Sequence, residues 1–538
     1  MPPKAKSSKA GAGGLQLPEC VSGRVKLSSS GALGTIVVAA RDFAPGDIVI
    51  REPPALVIDA SACSSATIRR DLAAVGSVER EGRDLSKSAV TPAVLAVSHG
   101  LEENFFNAIE AAVATSTSET VSQLMHHLYS PVAHQPEKRG EWLSDVLKPT
   151  REELEACAAV LDPKHPASLM KHAMVRELFA AGGSDVAALR LLRFLHAVRV
   201  NTHGDETSPL AGVFLAASKF THACAPNTFW HFDQSDADGS LGHVVHVASR
   251  TIRAGEPLTF SYMGAGLNMM THAPARRAML APLNFTCGCD RCAAYDAGGE
   301  KCRLLPCPAC MEKRRAARKT DVPAASCSLA LKPGAAWACG ECKYSPGHED
   351  LGTILGDERA ALELTLDTFF RPGSSPVSAD ALVSRWSAFR KVLQTFGREH
   401  YIAAVAACGL VRHIASFLAL VDQSGAANTQ SVGEIDFAEL CRGLMGAVAW
   451  FEGNMRGTPQ HVRFAAQLCV ALQLLHRLVL VDESPQQCQL GFGVADVKTS
   501  RSLVEGLHKK QRAVAAPFRA FDEVAPVGSS QHDAFTPL

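Results

Sequence analysis

Phe285-Thr286-Cys287-Gly288-Cys289-Asp290-Arg291-Cys292 sets three thiols within six residues. Nine of the chain's seventeen cysteines lie between Cys287 and Cys342. Further along, Cys307-Pro308-Ala309-Cys310 and Cys339-Gly340-Glu341-Cys342 make a CxxC…CxxC pair with 28 residues between them. Clustered thiols in a chain without an export signal favour metal ligation over disulfides, because a reducing compartment keeps them free. The pair therefore reads as a zinc ribbon or knuckle on Cys307, Cys310, Cys339 and Cys342, with Cys302 and Cys327 as spare candidates. The isolated Cys20, Cys63, Cys157, Cys408, Cys441, Cys469 and Cys488 read as ordinary small buried side chains.

Upstream of the cluster lie Thr221-His222-Ala223-Cys224-Ala225-Pro226-Asn227 and Gly255-Glu256-Pro257-Leu258-Thr259-Phe260-Ser261-Tyr262. At the N-terminus, Gly34-Thr35-Ile36-Val37-Val38-Ala39-Ala40-Arg41-Asp42-Phe43-Ala44-Pro45-Gly46-Asp47 leads into Arg51-Glu52-Pro53-Pro54. In that order, with the CxCxxC run closing the series, these segments resemble the SET domain, the fold of most protein-lysine methyltransferases. The family writes them as a glycine turn with V-A-x-R-D-I-x-P-G-E, then N-H-S-C-x-P-N, then G-E-E-L-T-x-x-Y, then a post-SET CxCxxC. The first segment is separated from the rest by a helical insertion, as in the SET/MYND (SMYD) group. Between Arg51 and Asn201 only Cys63 and Cys157 occur, too few for a MYND finger. The likeness is therefore to MYND-less members of that group.

The resemblance assigns roles residue by residue. Gly34 opens the glycine turn that lets backbone approach S-adenosylmethionine. Asn201, Ser218, the Thr221-His222 pair, Tyr262 and Phe285 fall at cofactor positions, with Phe285 on the adenine side. Thr221 stands where the family has asparagine, and a hydroxyl lacks the carboxamide's separate donor and acceptor. Cys224 would join Cys287, Cys289 and Cys292 in a tetrahedral four-thiolate zinc site. Tyr262 would line the lysine channel and be the catalytic residue. Two other chemistries are set aside. His243 and His246 share an expected strand, with His231 nearby, but residues three apart on a strand face opposite ways, against a histidine metal site. Pro306-Cys307-Pro308-Ala309-Cys310 matches half of a zinc deaminase signature, but the required H-x-E is absent upstream.

The 538 residues exceed one ordinary core, so several domains are expected. Apolar residues make up 47%, with Lys+Arg and Asp+Glu both 54, so no net field draws the chain to nucleic acid or membrane. The most apolar run, Phe464 to Val481, carries Gln467, Gln473, His476 and Arg477 and reads as a packed helix, so no membrane span is expected. The start of the chain has no apolar h-region and reads as a tail rather than a secretory signal. Its Lys4, Lys6 and Lys9 leave a nuclear address open.

The expected class is α+β. Residues 1–18 are a basic tail, 20–60 the first part of a SET domain, 61–184 a helical insertion, 185–284 its second part, 285–345 a post-SET and zinc-ribbon-like module, and 350–538 a TPR-like helical domain. Met311 to Thr320 is expected as a basic loop, and residues 257–262 as a strand. Leu189 to Val200 has helical periodicity. Phe396-Gly397-Arg398-Glu399-His400-Tyr401 resembles the element that opens a helix in the SMYD C-terminal domain.

The expected function is S-adenosylmethionine-dependent protein-lysine N-methylation, with two structural zinc ions. The substrate would be a histone or non-histone lysine. Protein partners would sit on the helical domain, and neither membrane nor nucleic acid is expected. Residence would be intracellular, cytoplasmic or nuclear. The rival is a catalytically weak SET scaffold, favoured by Thr221. A nucleic-acid-binding ribbon would lean on Met311 to Lys319, against which stands the neutral charge balance.

Overall fold

The computed structural model describes residues 17–30, 34–59, 117–128, 130, 151–164, 168, 170, 173–179, 183–204, 210–233, 241–263, 267–281, 286–297, 302–316, 328–330, 337–370, 378–424, 432, 435–479 and 497–518. Two stretches far apart in sequence supply one β-rich core. The first gives β1 (Val25–Ser30), β2 (Gly34–Ala39), β3 (Ile48–Glu52) and β4 (Leu56–Asp59). The second gives β5 (Thr202–Gly204), β6 (Leu210–Val213), β7 (Thr221–His222), β8 (Thr228–Phe232), β9 (Val244–Ala248) and β10 (Thr259–Phe260).

The stretches interlock strand by strand. β3 pairs antiparallel with β9, which pairs with β8; β4 pairs with β6, which pairs with β5. Bridges Val38–Pro257 and Phe43–Ile252 add two more crossings. Val37, Val49, Ile50, Phe214, Phe220, Val244, Ile252 and Leu258 fill the space between, each almost fully buried. Each such side chain contributes roughly 1.5–3 kcal/mol. The reversal between β2 and β3 turns at Gly46, whose φ of +87° suits glycine, while Ala44 N donates to Asp47 Oδ2 at 2.9 Å.

Between the stretches lie α1 (Ser118–His127), α2 (Arg151–Val160), α3 (Ala173–Phe179) and α4 (Ser184–Asn201). Leu191, Leu192, Phe194, Leu195 and Val198 face inward from α4, and their core continues through Leu56 and Val213. The insertion thus docks on β4 and β6, and α4 delivers the chain straight into β5.

The cysteine-rich segment forms α5 (Ala273–Leu280), α6 (Asp290–Asp296), β11 (Leu305–Pro306), α7 (Pro308–Ala316), β12 (Ser328–Ala330) and β13 (Ala338–Cys339). β12 is the centre of a three-stranded antiparallel sheet. The helical domain follows as α8 (His348–Phe370), α9 (Ala379–Phe396), α10 (Tyr401–Ser424), α11 (Phe437–Asn454), α12 (Pro459–Val479) and α13 (Val497–Ala515). One core runs through the cysteine module and these helices. A smaller one joins Val462 of α12 and Val514 of α13 to Val245, Val247 and Phe229, seating the helical domain on the β8–β9 face.

Three local expectations change. The basic stretch from Met311 is helical through Ala316, because Pro308 opens α7 and Met, Glu, Lys, Arg and Ala all favour helix. The strand expected over 257–262 pairs regularly only at Thr259–Phe260. Among the described residues, Tyr401–Gln423, not Phe464 to Val481, is the most apolar helix: its mean hydropathy of 1.9 makes it long and apolar enough to cross a membrane, against the expectation that no segment would be. Within the fold, 67% of that window is buried, and α8, α9, α11 and α12 all pack on it. Its apolarity is that of the domain's central helix.

Candidate functional site

The site is built around a short parallel ladder, Thr221 and His222 of β7 beside Thr259 and Phe260 of β10. Two rungs hold little by themselves, and Asn227 fastens them. Its Oδ1 accepts from Thr259 N at 2.8 Å, its Nδ2 donates to Pro257 O at 2.8 Å and Glu256 Oε1 at 3.1 Å, and its backbone N donates to Thr259 Oγ1 at 2.9 Å. Asn227 is 1% exposed, so this is a satisfied buried network.

Glu52 fixes the approach to β7 from the other side. Its carboxylate accepts from Ala216 N and Ala217 N, both at 2.9 Å, at the start of the short 3-10 helix Ala217–Lys219. Burial pushes this carboxyl up to about 7, against the pull of the Ala216, Ala217 and Leu215 amides. The next residue, Phe220, offers its carbonyl to Tyr262 Oη, which donates at 2.8 Å. The Tyr262 ring, 37% exposed, stands 5.0 Å from Phe260 and 5.4 Å from His222, centroid to centroid.

His222 connects this tyrosine to the thiols. Tyr262 N donates to His222 Nδ1 at 3.1 Å, so the neutral ring carries its proton on Nε2, 3.4 Å from Cys224 Sγ. Burial is the main cause holding His222 at about 4, with Cys289 pulling it up and Arg276 pushing it down, so the ring is neutral near pH 7. Cys224, Cys287, Cys289 and Cys292 bring their sulfurs within 4.8 Å of one another. Cys224 Sγ lies 3.8 Å from Cys287 Sγ and 3.6 Å from Cys292 Sγ. A zinc–sulfur bond of about 2.3 Å in a tetrahedron sets sulfurs about 3.8 Å apart, so the donor set fits zinc. Cys289 caps α6, placing Cys292 on that helix's first turn. Hydrogen bonds from Cys224, Cys287 and Cys292 hold the Cys289 thiol well below its usual range, while hydrogen bonding with Cys287, Cys289 and Cys292 pushes Cys224 up.

Cys307, Cys310, Cys339 and Cys342 converge likewise, with Cys307–Cys342 at 3.6 Å and Cys310–Cys339 at 3.7 Å. Cys310 sits on the first turn of α7, and Lys343 adopts φ +60° just after Cys342, letting the knuckle fold back. Among the described residues, only these two groups of potential ligands converge. The strand histidines do not: His246 is buried against Phe220 and His203, while His243 lies at the surface beside Asp233.

The remaining candidates have local contacts of their own. Gly34 has φ +69° and nothing within 4 Å of where a Cβ would sit, leaving an open backbone edge. Asn201 closes α4, its Nδ2 donating to Ala197 O at 2.6 Å, and Ser218 Oγ donates to Leu215 O at 3.1 Å. Thr221 N donates to Leu258 O at 3.1 Å. Phe285, Cys63 and Cys327 lie outside the described residues. Four residues that matter here were not singled out in the sequence: Glu52, Asn227, Arg276 and Arg291. Glu52 and Asn227 lay within quoted motifs, where an acid and an amide were legible signals. The two arginines gave none, because a charged residue on a helix reads by default as solvated.

Residues 34–263 match the family model of the SET domain. This segment is a SET domain. It spans β2 to β10, with the insertion between β4 and β5. No curated protein matches the chain. Structures to which it is similar include the SET domain of LSMT bound to lysine and AdoHcy, at 12% identity and TM-score 0.22, over 95% of this chain and 93% of that one. Rubisco LSMT bound to sinefungin and monomethyllysine gives 10% and 0.24, over 95% and 93%. Rubisco LSMT bound to AdoMet gives 12% and 0.20, over 95% and 94%.

Proposed function

We propose that the chain is an S-adenosylmethionine-dependent protein-lysine N-methyltransferase of the split-SET type, without a MYND finger. The observation that carries this reading is the SET domain at 34–263, with Tyr262 held by Phe220 O at the mouth of the β7–β10 ladder. Gly34, Asn201, Ser218, Thr221 and His222 would hold the cofactor, with Phe285 against its adenine. When bound, S-adenosylmethionine supplies a methyl group on a sulfonium. The protein's own work is alignment and desolvation. Tyr262 and Phe260 offer an apolar, ring-lined wall to a lysine side chain. Such surroundings disfavour the ammonium and lower its pKa from about 10.4, exposing the nitrogen lone pair. Fixed geometry then supplies several kcal/mol of the barrier. The two thiol sets would hold structural zinc. Clustered thiols of this kind suit an intracellular protein, nuclear or cytoplasmic.

Thr221 favours a second reading, a SET scaffold that binds proteins through its helical domain. The two separate on transfer. The zinc-loaded chain, given isotopically labelled S-adenosylmethionine and lysine-rich proteins, should yield methyl-lysine detectable by mass spectrometry. Tyr262→Phe should lower the rate about 10²-fold, the scale of a misplaced reacting group, with the fold intact. A Phe variant as fast as the wild type would remove Tyr262 from the mechanism. Cofactor binding without transfer to any lysine would favour the scaffold.

A further inference from the structure

Arginine is almost never fully buried unless an anion answers it. Arg276, on α5, is 0% exposed and is the largest fully buried side chain among the described residues; Arg291, on α6, is 8% exposed. Both guanidiniums close on the first thiol set. Arg276 Nη2 donates to Cys292 Sγ at 3.6 Å, and its Nη1 donates to Thr271 O. Arg291 Nη1 donates to Cys224 O at 3.3 Å and to Met269 O, and its Nη2 to Thr271 O at 3.2 Å. Arg277 differs: it donates to Cys287 O at 3.2 Å, but Asp296 takes its fork at 2.8 and 2.6 Å. Four thiolates around a divalent ion leave two negative charges in a buried place. Two buried guanidiniums bring two positive ones to the same place.

We propose that Arg276 and Arg291 are the built-in counter-charges of the Cys224/Cys287/Cys289/Cys292 centre, offsetting the net negative charge of the ligated ion and raising the centre's affinity for zinc. The inference rests on that set holding zinc. Groups that orient and polarise metal ligands from outside typically change affinity by about 10–100-fold when removed. Because Cys224 Sγ faces His222 Nε2, and His222 Nδ1 holds Tyr262 N, the same charges also steady the ring beside the candidate catalytic tyrosine.

The test uses the full chain and zinc itself. Arg276→Met keeps length and removes charge; Arg276→Lys keeps charge with one ammonium in place of the fork. Graded chelator competition is followed by alkylation and mass spectrometry, reading zinc loss separately at Cys289 and at Cys342. The second centre is an internal control in the same molecule. In Arg276→Met the first centre should release zinc at about 10–100-fold weaker chelation, with the second unchanged and the Lys variant in between. Unchanged retention at the first centre, or equal weakening at both, would overturn the proposal. Should Arg276→Met not fold, Arg291→Gln takes its place, and wild-type retention there would overturn it too. A wild-type chain that carries no zinc but binds S-adenosylmethionine would refute the counter-charges while leaving the methyltransferase reading standing.

Discussion

Thr221 is the residue at which this chain departs from the pattern it otherwise follows. Its backbone is committed to the β7–β10 ladder, so the side chain alone differs in what it can offer. Thr221→Asn adds a carboxamide. One more neutral hydrogen bond is worth roughly 0.5–1.5 kcal/mol, so S-adenosylmethionine should bind about 2- to 12-fold tighter. Equal binding in both variants would show that another residue already fills the role. Glu52 makes a prediction with a sign. Its folded value, about 7, lies above the ordinary 4.5, so its contribution to stability is fully present below 4.5 and is lost as pH rises to about 7. Glu52→Gln removes that loss. The variant should gain on the wild type as pH rises from about 5 to about 7 in zinc-loaded urea melts and no further above that; a constant difference would show that Glu52 titrates normally. Of these residues, the sequence made the thiols legible by spacing and Tyr262 by its motif. Glu52, Asn227 and the buried arginines became meaningful only with their partners, which lie up to 165 residues away. Polar side chains reveal burial only through what surrounds them.

At the scale of elements, short strands and helix ends decided what could be read. β7 and β10 have two residues each, too few for periodicity to show, and stand because Asn227 fastens them. α10 was legible as a helix, but its central place was not, since apolarity on every face belongs equally to a buried helix and a membrane span. The packing tells them apart. Gly409 sits where α10 meets α8, and a Cβ there would lie 2.4 Å from Phe369 Cβ. Gly409→Ala gains about 1 kcal/mol of helix propensity but must push two helices apart, at about 1–3 kcal/mol. The obstacle is a Cβ, which cannot swing aside, so the clash should win. Thermal melts should show a net loss of stability, and a more stable variant would mean that the α8–α10 contact is looser than described.

At the scale of the whole molecule, the SET domain, the cysteine module and the helical domain share cores rather than hang on linkers. Cys224 belongs to the SET segment yet completes a thiol set with Cys287, Cys289 and Cys292. Arg303 crosses from the cysteine module to Glu358 of α8, its Nε 2.8 Å from Oε1, and Tyr401 N donates to Cys302 O at 3.1 Å. Val462 and Val514 close the circuit on β8 and β9. The central claim is that this assembly presents a methyl-donor site. Titration calorimetry of the zinc-loaded full chain with S-adenosylmethionine tests it most directly. A saturable, one-to-one isotherm that Thr221→Asn steepens is the predicted result. No heat of binding at any concentration, from a chain that is folded and carries its zinc, would contradict it.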